Sequence, residues 1–567
     1  MAADQSPMNK LITEHIDIWT SAVKSKSTSG RGSSKKLELY GVKKLRELIL
    51  ELAVRGKLVP QDLNDEPASV LLERIKDERR AEAKNGKLKE VKAISENEFP
   101  YKLPINWSFV RLEEIIQISS GKNLTAKKMD TSGKIPVYGG NGVTGIHSES
   151  NVSERTIVIG RVGFYCGSVH LTPSCAWVTD NAFITKYSRA NLDEDFLVWL
   201  LKATNLGEND SATAQPVISG KKVYPIVVAL PPKEEQRLIA AKIDELMALC
   251  DQLEQQTEAS IEAHQVLVTT LLDTLTNSVD ADELMQNWTR ISKHFDTLFT
   301  TEESIDQLKQ TILQLAVMGK LVPQDPNDES ATELLKRIAE EKAQLVKEKK
   351  IKKEKALPPI AEDEKPFELP SGWSYERLGN ICEKMGSGST PRGGQSAYVT
   401  EGIPFLRSQN VWNGELKLND IAYIPQETHD KMENTKVYPG DVLLNITGAS
   451  LGRSTIFPEE ISEANVSQHV TIIRLIEPKM KEFIHIGIIS PLIQNLVWGR
   501  QVGMAIEGLS KKVLEQFEFP VPPLEEQKLI VEKVTELLNI CEHLKAQLVA
   551  SQTTQIQLTD SIVDQMV

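Results

Sequence analysis

The sequence predicts an α+β protein that is internally duplicated, with two mixed α/β domains alternating with long helices. Three observations carry this. First, Leu52–Asp62 and Leu315–Asp325 differ at one position in eleven, Arg55 against Met318, which is an internal repeat. Second, a Pro-Pro pair followed by an acidic first turn opens a helical pattern twice, as PPKEEQRLIAAKIDELMALCDQLEQQ from Pro231 and PPLEEQKLIVEKVTELLNICEHLKAQ from Pro522. Proline ends the preceding element and the carboxylates suit a helix N-terminus. Third, each Pro-Pro pair closes a stretch in which β-rich runs such as RTIVIGRVGFY and DVLLNITGAS alternate with Gly/Asn/Ser turns,.

In chain order, SKSTSGRGSSKK within residues 1–36 reads as a flexible segment,. A helix follows with Leu45, Leu48, Ile49 and Leu52 on one face, Gly56 as its stop and Pro60 just beyond,. Its second copy starts at Ile305. Each copy leads to a short helix (from Ala68 and from Ala331) and then to a charged run, from Arg79 and from Glu341, that reads as a solvated linker,. The two mixed domains open alike, LPINWSFVRLEEI from Leu103 and LPSGWSYERLGNI from Leu369, with Trp107 and Trp373 as packing residues. They close alike on SGKKVYPIVVALPP and LSKKVLEQFEFPVPP, and differ in between. The boundaries are 1–98, 99–232, 233–365, 366–523 and 524–567.

The helices after the Pro-Pro pairs carry apolar residues at alternating spacings of four and three. These are Ile239, Ile243, Leu246, Cys250 and Leu253 in one, and Ile530, Val534, Leu537, Cys541 and Leu544 in the other. That heptad seam predicts packing against a helix. It continues through Thr257, Ser260, His264, Leu267 and Leu271, and through Leu548, Ser551, Gln555, Leu558 and Ile562, with polar residues in the middle of both seams. A helix from Glu234 to about Leu275 would run roughly 60 Å at 1.5 Å per residue.

At 567 residues the chain needs several cores,. Its five scattered cysteines contain no CxxC pair, so a reducing cytoplasm is expected rather than a disulfide framework or a zinc site. No apolar run of membrane-spanning length and no leader pattern is present. The net charge of −13 argues against a nucleic-acid partner only until it is resolved locally: residues 99–232 carry 13 Lys/Arg against 11 Asp/Glu, and residues 366–523 carry 14 against 18. There is no phosphate-binding G-x-x-x-x-G-K-[ST] loop, no Rossmann-type acidic partner for the glycines of GRVGFYCG or TGASLG, and no HExxH,. Neither Pro-Pro pair is flanked as an amino-methyltransferase site requires. No catalysis, metal or cofactor is expected of this chain.

The repeated PPxxEQ helices, the LPxxW openings and the GKLVPQD segments resemble the DNA-specificity subunit of type I restriction–modification systems, from Leu37 to the end. The resemblance implies two target-recognition domains, each reading half of a bipartite asymmetric site in double-stranded DNA. It implies that the repeated helices form an antiparallel coiled coil, with pseudo-twofold symmetry, that spaces the two domains. It also implies two methyltransferase subunits that use S-adenosylmethionine at adenine N6, and two restriction subunits that use ATP and Mg2+. Phosphate contacts need Lys/Arg and small polar groups, and base readout needs Arg, Asn, Gln or Lys. The DNA-binding candidates in the first domain are therefore Ser120, Gly121, Lys122, Lys127, Lys128, the loop Tyr138-Gly139-Gly140-Asn141-Gly142, and Arg161. In the second they are Ser387, Gly388, Ser389, Thr390, Arg392, Arg407, Ser408, Gln409, Asn410 and Arg453. Lys221–Lys222 and Lys511–Lys512 recur in both copies and suit phosphate or frame contacts. Segments 56–62 and 319–325 are candidate docking surfaces for the methyltransferase, with a shared role in the frame as the alternative. Competing classes are a protein–protein adaptor without nucleic acid and a self-sufficient methyltransferase–nuclease.

Overall fold

The computed structural model describes residues 11–12, 14–26, 36–82, 91–130, 132–207, 217–279, 281–500 and 508–567. Most of the Ser/Gly/Lys stretch expected to be flexible lies outside them, but its two ends, Lys24–Lys26 and Lys36–Glu38, pair as antiparallel strands. The chain forms two compact units. One comprises residues 1–260 with 551–567, the other residues 261–550. The helices after the Pro-Pro pairs are continuous, Lys233–Thr276 and Leu524–Met566. The units therefore divide both long helices at the polar part of their seams (Ser260 and Ser551), rather than at the segment boundaries read along the chain.

Each unit is built on the repeated helix, Tyr40–Val54 or Glu302–Val317. In the first unit Arg46 Nη2 reaches Asp251 Oδ1 at 2.6 Å and Gln61 Nε2 reaches Glu235 Oε1 at 3.3 Å, so this helix runs antiparallel to the first long helix. Tyr40 Oη donates to Asp560 Oδ1 at 2.7 Å and Arg55 Nη1 to the Val567 carbonyl at 3.1 Å, so it runs parallel to the second. In the second unit the relations are exchanged. Lys545 and Lys309 pair with Asp306 and Glu542, whereas Gln307 bonds Thr269 and Lys320 bonds the Thr276 carbonyl. Within each unit the two long-helix segments are thus antiparallel, as the resemblance implied.

The seam holds for its first half, where Ile239, Ile243, Leu246, Cys250, Ile530, Val534 and Cys541 are buried. Its continuation is corrected. Leu267 is 50% exposed and Leu558 42%, while Val268, Leu272, Leu275 and Thr559 are buried. A straight helix drifts by about 20° per heptad from a strict 3.5-residue repeat. After four heptads the inward direction has passed to the next residue, from Leu267 to Val268 and from Leu558 to Thr559.

The three sequence repeats meet at one junction in each unit. Trp107 Nε1 donates to Glu235 Oε2 at 2.8 Å, and Trp373 Nε1 to Glu526 Oε2 at 3.0 Å. The other carboxylate oxygen accepts from Gln61 (3.3 Å) or Gln324 (3.1 Å), whose amide also donates to the carbonyl of Gly56 or Gly319. Both glycines stop their helices with φ near +70° (69° and 68°), and a Cβ at either would collide with Pro104 or Pro370,. Burial raises the pKa of both carboxyls above the ordinary carboxylate value, with the Trp and Gln donors opposing it,.

The same junction explains the near-identity of the GKLVPQD copies. Lys57 Nζ donates to the Val567 carbonyl at 2.7 Å, and Lys320 Nζ to the Thr276 and Ser278 carbonyls at 2.8 Å. Each lysine closes the C-terminal end of a long helix, where unpaired carbonyls and the helix dipole favour a cation. These bonds give both lysines a place in the frame.

Candidate nucleic-acid interface

The two mixed domains differ in sequence at their middles, yet their strands follow one plan. In each, the opening strand pairs with the closing one, Ser108–Arg111 with Val227–Leu230 and Ser374–Arg377 with Glu518–Val521. This ties both ends of the domain to the long helix that follows. A buried arginine reinforces the tie: Arg111 bonds the Lys92 and Pro225 carbonyls and Glu98, and Arg377 bonds the Pro358 and Gln516 carbonyls and Glu364.

The main sheet of the first domain has the order Ile116–Ser120, Ala182–Tyr187, Ile157–Gly160, Val169–Leu171. In the second it is Cys382–Ser387, Val470–Leu475, Val442–Asn445, Ser454–Ile456. A second sheet contains a parallel pair in both, Ile135–Gly139 with Trp177–Val178 and Ile403–Leu406 with Ala464–Val466. Backbone bonds fix the correspondence. Gly121 N–H donates to the Ala182 carbonyl and Lys122 N–H to Val178, as Gly388 N–H donates to Val470 and Ser389 N–H to Val466. A Cβ at Gly121 or Gly388 would collide with the carbonyl of Val178 or Val466, so these glycines permit the crossing of two backbones.

One edge of the first domain collects Ser120, Gly121, Lys122, Gly140 and Arg161. Arg161 Nη1 lies 3.4 Å from Ser120 Oγ and 3.3 Å from the Asp180 carbonyl, with its guanidinium over the Phe183 ring at 5.5 Å. Asn123, not singled out in the sequence, bonds the Asp180 carboxylate at 3.0 Å. Gly140 packs against the Val162 carbonyl and accepts a bond from Ser168 Oγ at 3.2 Å. Lys127 and Lys128 are exposed on a short turn, Asn141 is exposed at the hairpin tip, and Gly142 takes φ +80° there. Tyr138 and Gly139 are buried, and the Tyr138 ring belongs to the core with Val158 and Val178. Their side of the loop supplies shape rather than an exposed contact. Lys221 and Lys222 sit on the short helix Gly220–Val223, which follows the Ile218 N–H bond to the Arg161 carbonyl.

The matching edge of the second domain uses other side chains. Ser387, Gly388, Ser389 and Thr390 lie at the sheet end, with Thr390 Oγ1 3.3 Å from Gln468 Oε1. Where the first domain has Arg161, the second has Ile446, whose carbonyl accepts from Leu509 as that of Arg161 accepts from Ile218. Next to it Thr447 Oγ1 and His469 Nδ1 lie 2.6 Å apart. The cation comes instead from Arg407, held at 2.7 Å by the Asp420 carbonyl, while Gln409 holds the Asp420 carboxylate at 2.8 Å. Ser408 accepts from the buried Asn445 through its carbonyl. Asn410 is buried, and its amide is spent inside its own turn on Arg407 N–H and the Lys417 carbonyl, so it shapes the loop and presents nothing to a base. Arg453 stacks on Trp412 at 3.8 Å and Lys417 on the same indole at 3.7 Å. Trp412 and Lys417 carried no sequence signal, because their meeting depends on a hairpin, Val411–Trp412 with Glu415–Leu416. Arg392 is exposed, Lys511 is paired with Glu354 and Glu515, and Lys512 is exposed.

Among the described residues no group of three or more His, Cys, Asp or Glu is placed to hold a metal ion. No described helix is long and apolar enough to cross a membrane.

Two unequal edges thus stand on one duplicated frame. The model of the family described as the type I restriction modification DNA specificity domain matches residues 104–263 and 370–550. The EcoAI and EcoEI type I restriction enzyme specificity subunits of Escherichia coli are each 39% identical to this chain, over 98% of it and 99% of their own length. A chain solved from a type I R-M system is 18% identical, with a TM-score of 0.48, over 82% of this chain and 99% of its own. The chain belongs to the family of specificity subunits of type I restriction–modification systems.

Proposed function

We propose that this chain is the non-catalytic, DNA-reading subunit of its complex, and that each recognition domain binds one half of a bipartite, asymmetric double-stranded target. The observation that supports this most directly is the pair of edges. They share a backbone plan but offer Arg161 and Lys122 on one side, and Arg407, Gln409 and Arg453 on the other. Unequal donor sets read unequal half-sites. The long helices set the gap between half-sites, and the duplicated frame presents similar surfaces to two copies of the methyltransferase. Adenine N6 methylation is the work of those subunits with S-adenosylmethionine, and cleavage that of two restriction subunits with ATP and Mg2+. This chain binds none of these small molecules itself.

The test is to assemble the chain with its methyltransferase partner, supply labelled methyl donor and a random-sequence DNA pool, and map methylated adenines by sequencing. Two marks in a split motif with a constant gap are expected. A well-assembled complex that methylates without sequence preference would favour the adaptor reading.

A further inference from the structure

The loop after Arg161 and its counterpart in the second domain share a hydrogen-bond pattern residue for residue. In the first domain Gly160 N–H donates to the Ser168 carbonyl and Gly167 N–H to Gly160; Cys166 N–H donates to Gly163 and Ser168 N–H to Tyr165. In the second, Asn445 donates to Arg453, Gly452 to Asn445, Leu451 to Gly448 and Arg453 to Ser450. Left-handed glycines fall at the same places, Gly163 and Gly448, then Gly167 and Gly452. The register puts Phe164 and Tyr165 where the second domain has Ala449 and Ser450.

Phe164 is 87% exposed and Tyr165 55%. Their rings meet edge to face at 5.1 Å. A lone exposed aromatic needs no explanation. Here two neighbouring rings begin three residues beyond Arg161, on a hydrogen-bonded tip that is tied through Ser168 Oγ to Gly140. The exposed lysines Lys122, Lys127 and Lys128 belong to the same domain. Exposed aromatic faces can stack on bases while cations of the same domain hold the backbone, and an apolar wedge at a base step unstacks it.

We propose that Phe164 and Tyr165 form an aromatic tip that stacks against the bases of one half-site and partly unstacks a step there. The half-site facing Ala449 and Ser450 is bound without such unstacking. The inference rests on the DNA-reading function proposed above. It adds that the two halves are read by different physics, one including the cost of deforming the duplex, which favours flexible pyrimidine–purine steps.

The experiment uses the complex with the methyltransferase and its mapped target duplex, with 2-aminopurine placed at successive positions of both half-sites other than the two methylated adenines, which the methyltransferase itself extrudes. Fluorescence is expected to rise on binding at a step in one half-site only. Phe164→Ala/Tyr165→Ala should abolish the rise and weaken binding about tenfold, with an unchanged thermal melt. A rise that survives the double substitution would overturn the proposal. So would the absence of any rise in a complex that still methylates its specific site. Absence of sequence-specific methylation in the unsubstituted complex would instead sink the DNA-reading function, and the aromatic tip with it.

Discussion

The two recognition domains have the same strand order, the same crossing glycines (Gly121 and Gly388) and the same loop hydrogen bonds, yet hardly share a side chain at the edge those features build. Gly139–Gly140 in one stands against Arg407–Ser408 in the other, Arg161 against Ile446, Phe164–Tyr165 against Ala449–Ser450, and Ser168 against Arg453. The reason is physical. Backbone amides must find partners wherever they are buried, so the path of the chain is constrained. Exposed side chains at the end of a sheet carry no such obligation and can differ freely. The junctions show the opposite case. Trp107–Glu235–Gln61 and Trp373–Glu526–Gln324 are polar networks around a buried carboxyl, with the glutamine at the exposed rim, and they are the same in both units.

The largest effect is expected where the units agree. Trp107→Ala and Trp373→Ala each remove a buried ring and leave a buried carboxylate without its donor, a loss of about 3–5 kcal/mol. Denaturant melts should show similar losses for the two. A tenfold difference in unfolding equilibrium constant would mean that the junctions are equal in geometry only.

The carboxyls of the same junctions give a pH test. Burial raises the Glu235 and Glu526 pKa values above the ordinary carboxylate value, so the folded state binds a proton more tightly than the unfolded chain. Their contribution to stability is greatest below the unfolded value and is lost as pH rises through the folded value. Glu235→Gln and Glu526→Gln should flatten that fall in melts between acid and neutral pH. They should also cost about 1–3 kcal/mol, because an amide cannot accept from both Trp and Gln as a carboxylate does.

At the unlike edges, Arg161→Ala and Arg407→Ala should each weaken discrimination by about 1–3 kcal/mol at one half-site and leave the other intact, as read by methylation of targets with single base changes. Weaker methylation of every target with discrimination unchanged at both half-sites would show that the arginines bind phosphates rather than bases. The smallest effect is expected on the long helix. Leu267→Gln, on the exposed side, should stay within about 0.5 kcal/mol in a thermal melt, whereas Val268→Gln, one residue on, should cost several times that.

Much of this was legible along the chain. The duplication, the Pro-Pro junctions, the helix stops at Gly56 and Gly319 and the first half of each seam follow from local rules: proline ends an element, glycine takes a left-handed φ, and apolar spacing repeats with the helix. The second half of the seam was not legible, since the heptad extrapolates a supercoil that the long helices do not keep, and Val268 and Thr559 replace Leu267 and Leu558 inside. Along the edges the sequence pointed to Arg161, Arg407 and Arg453 by residue type. It could not show that Asn410 and Tyr138 are turned inward, or that Lys57 and Lys320 close helix ends.

By itself, then, the sequence determined the repeated frame, because that frame is made of local backbone preferences written twice. Only the tertiary structure decided that Trp107, Glu235 and Gln61 form one network, that Trp412 lies between Lys417 and Arg453, and that Phe164 takes the place of Ala449. Each of these depends on contacts between residues far apart in the chain or on matching two domains strand by strand, and no periodicity records either.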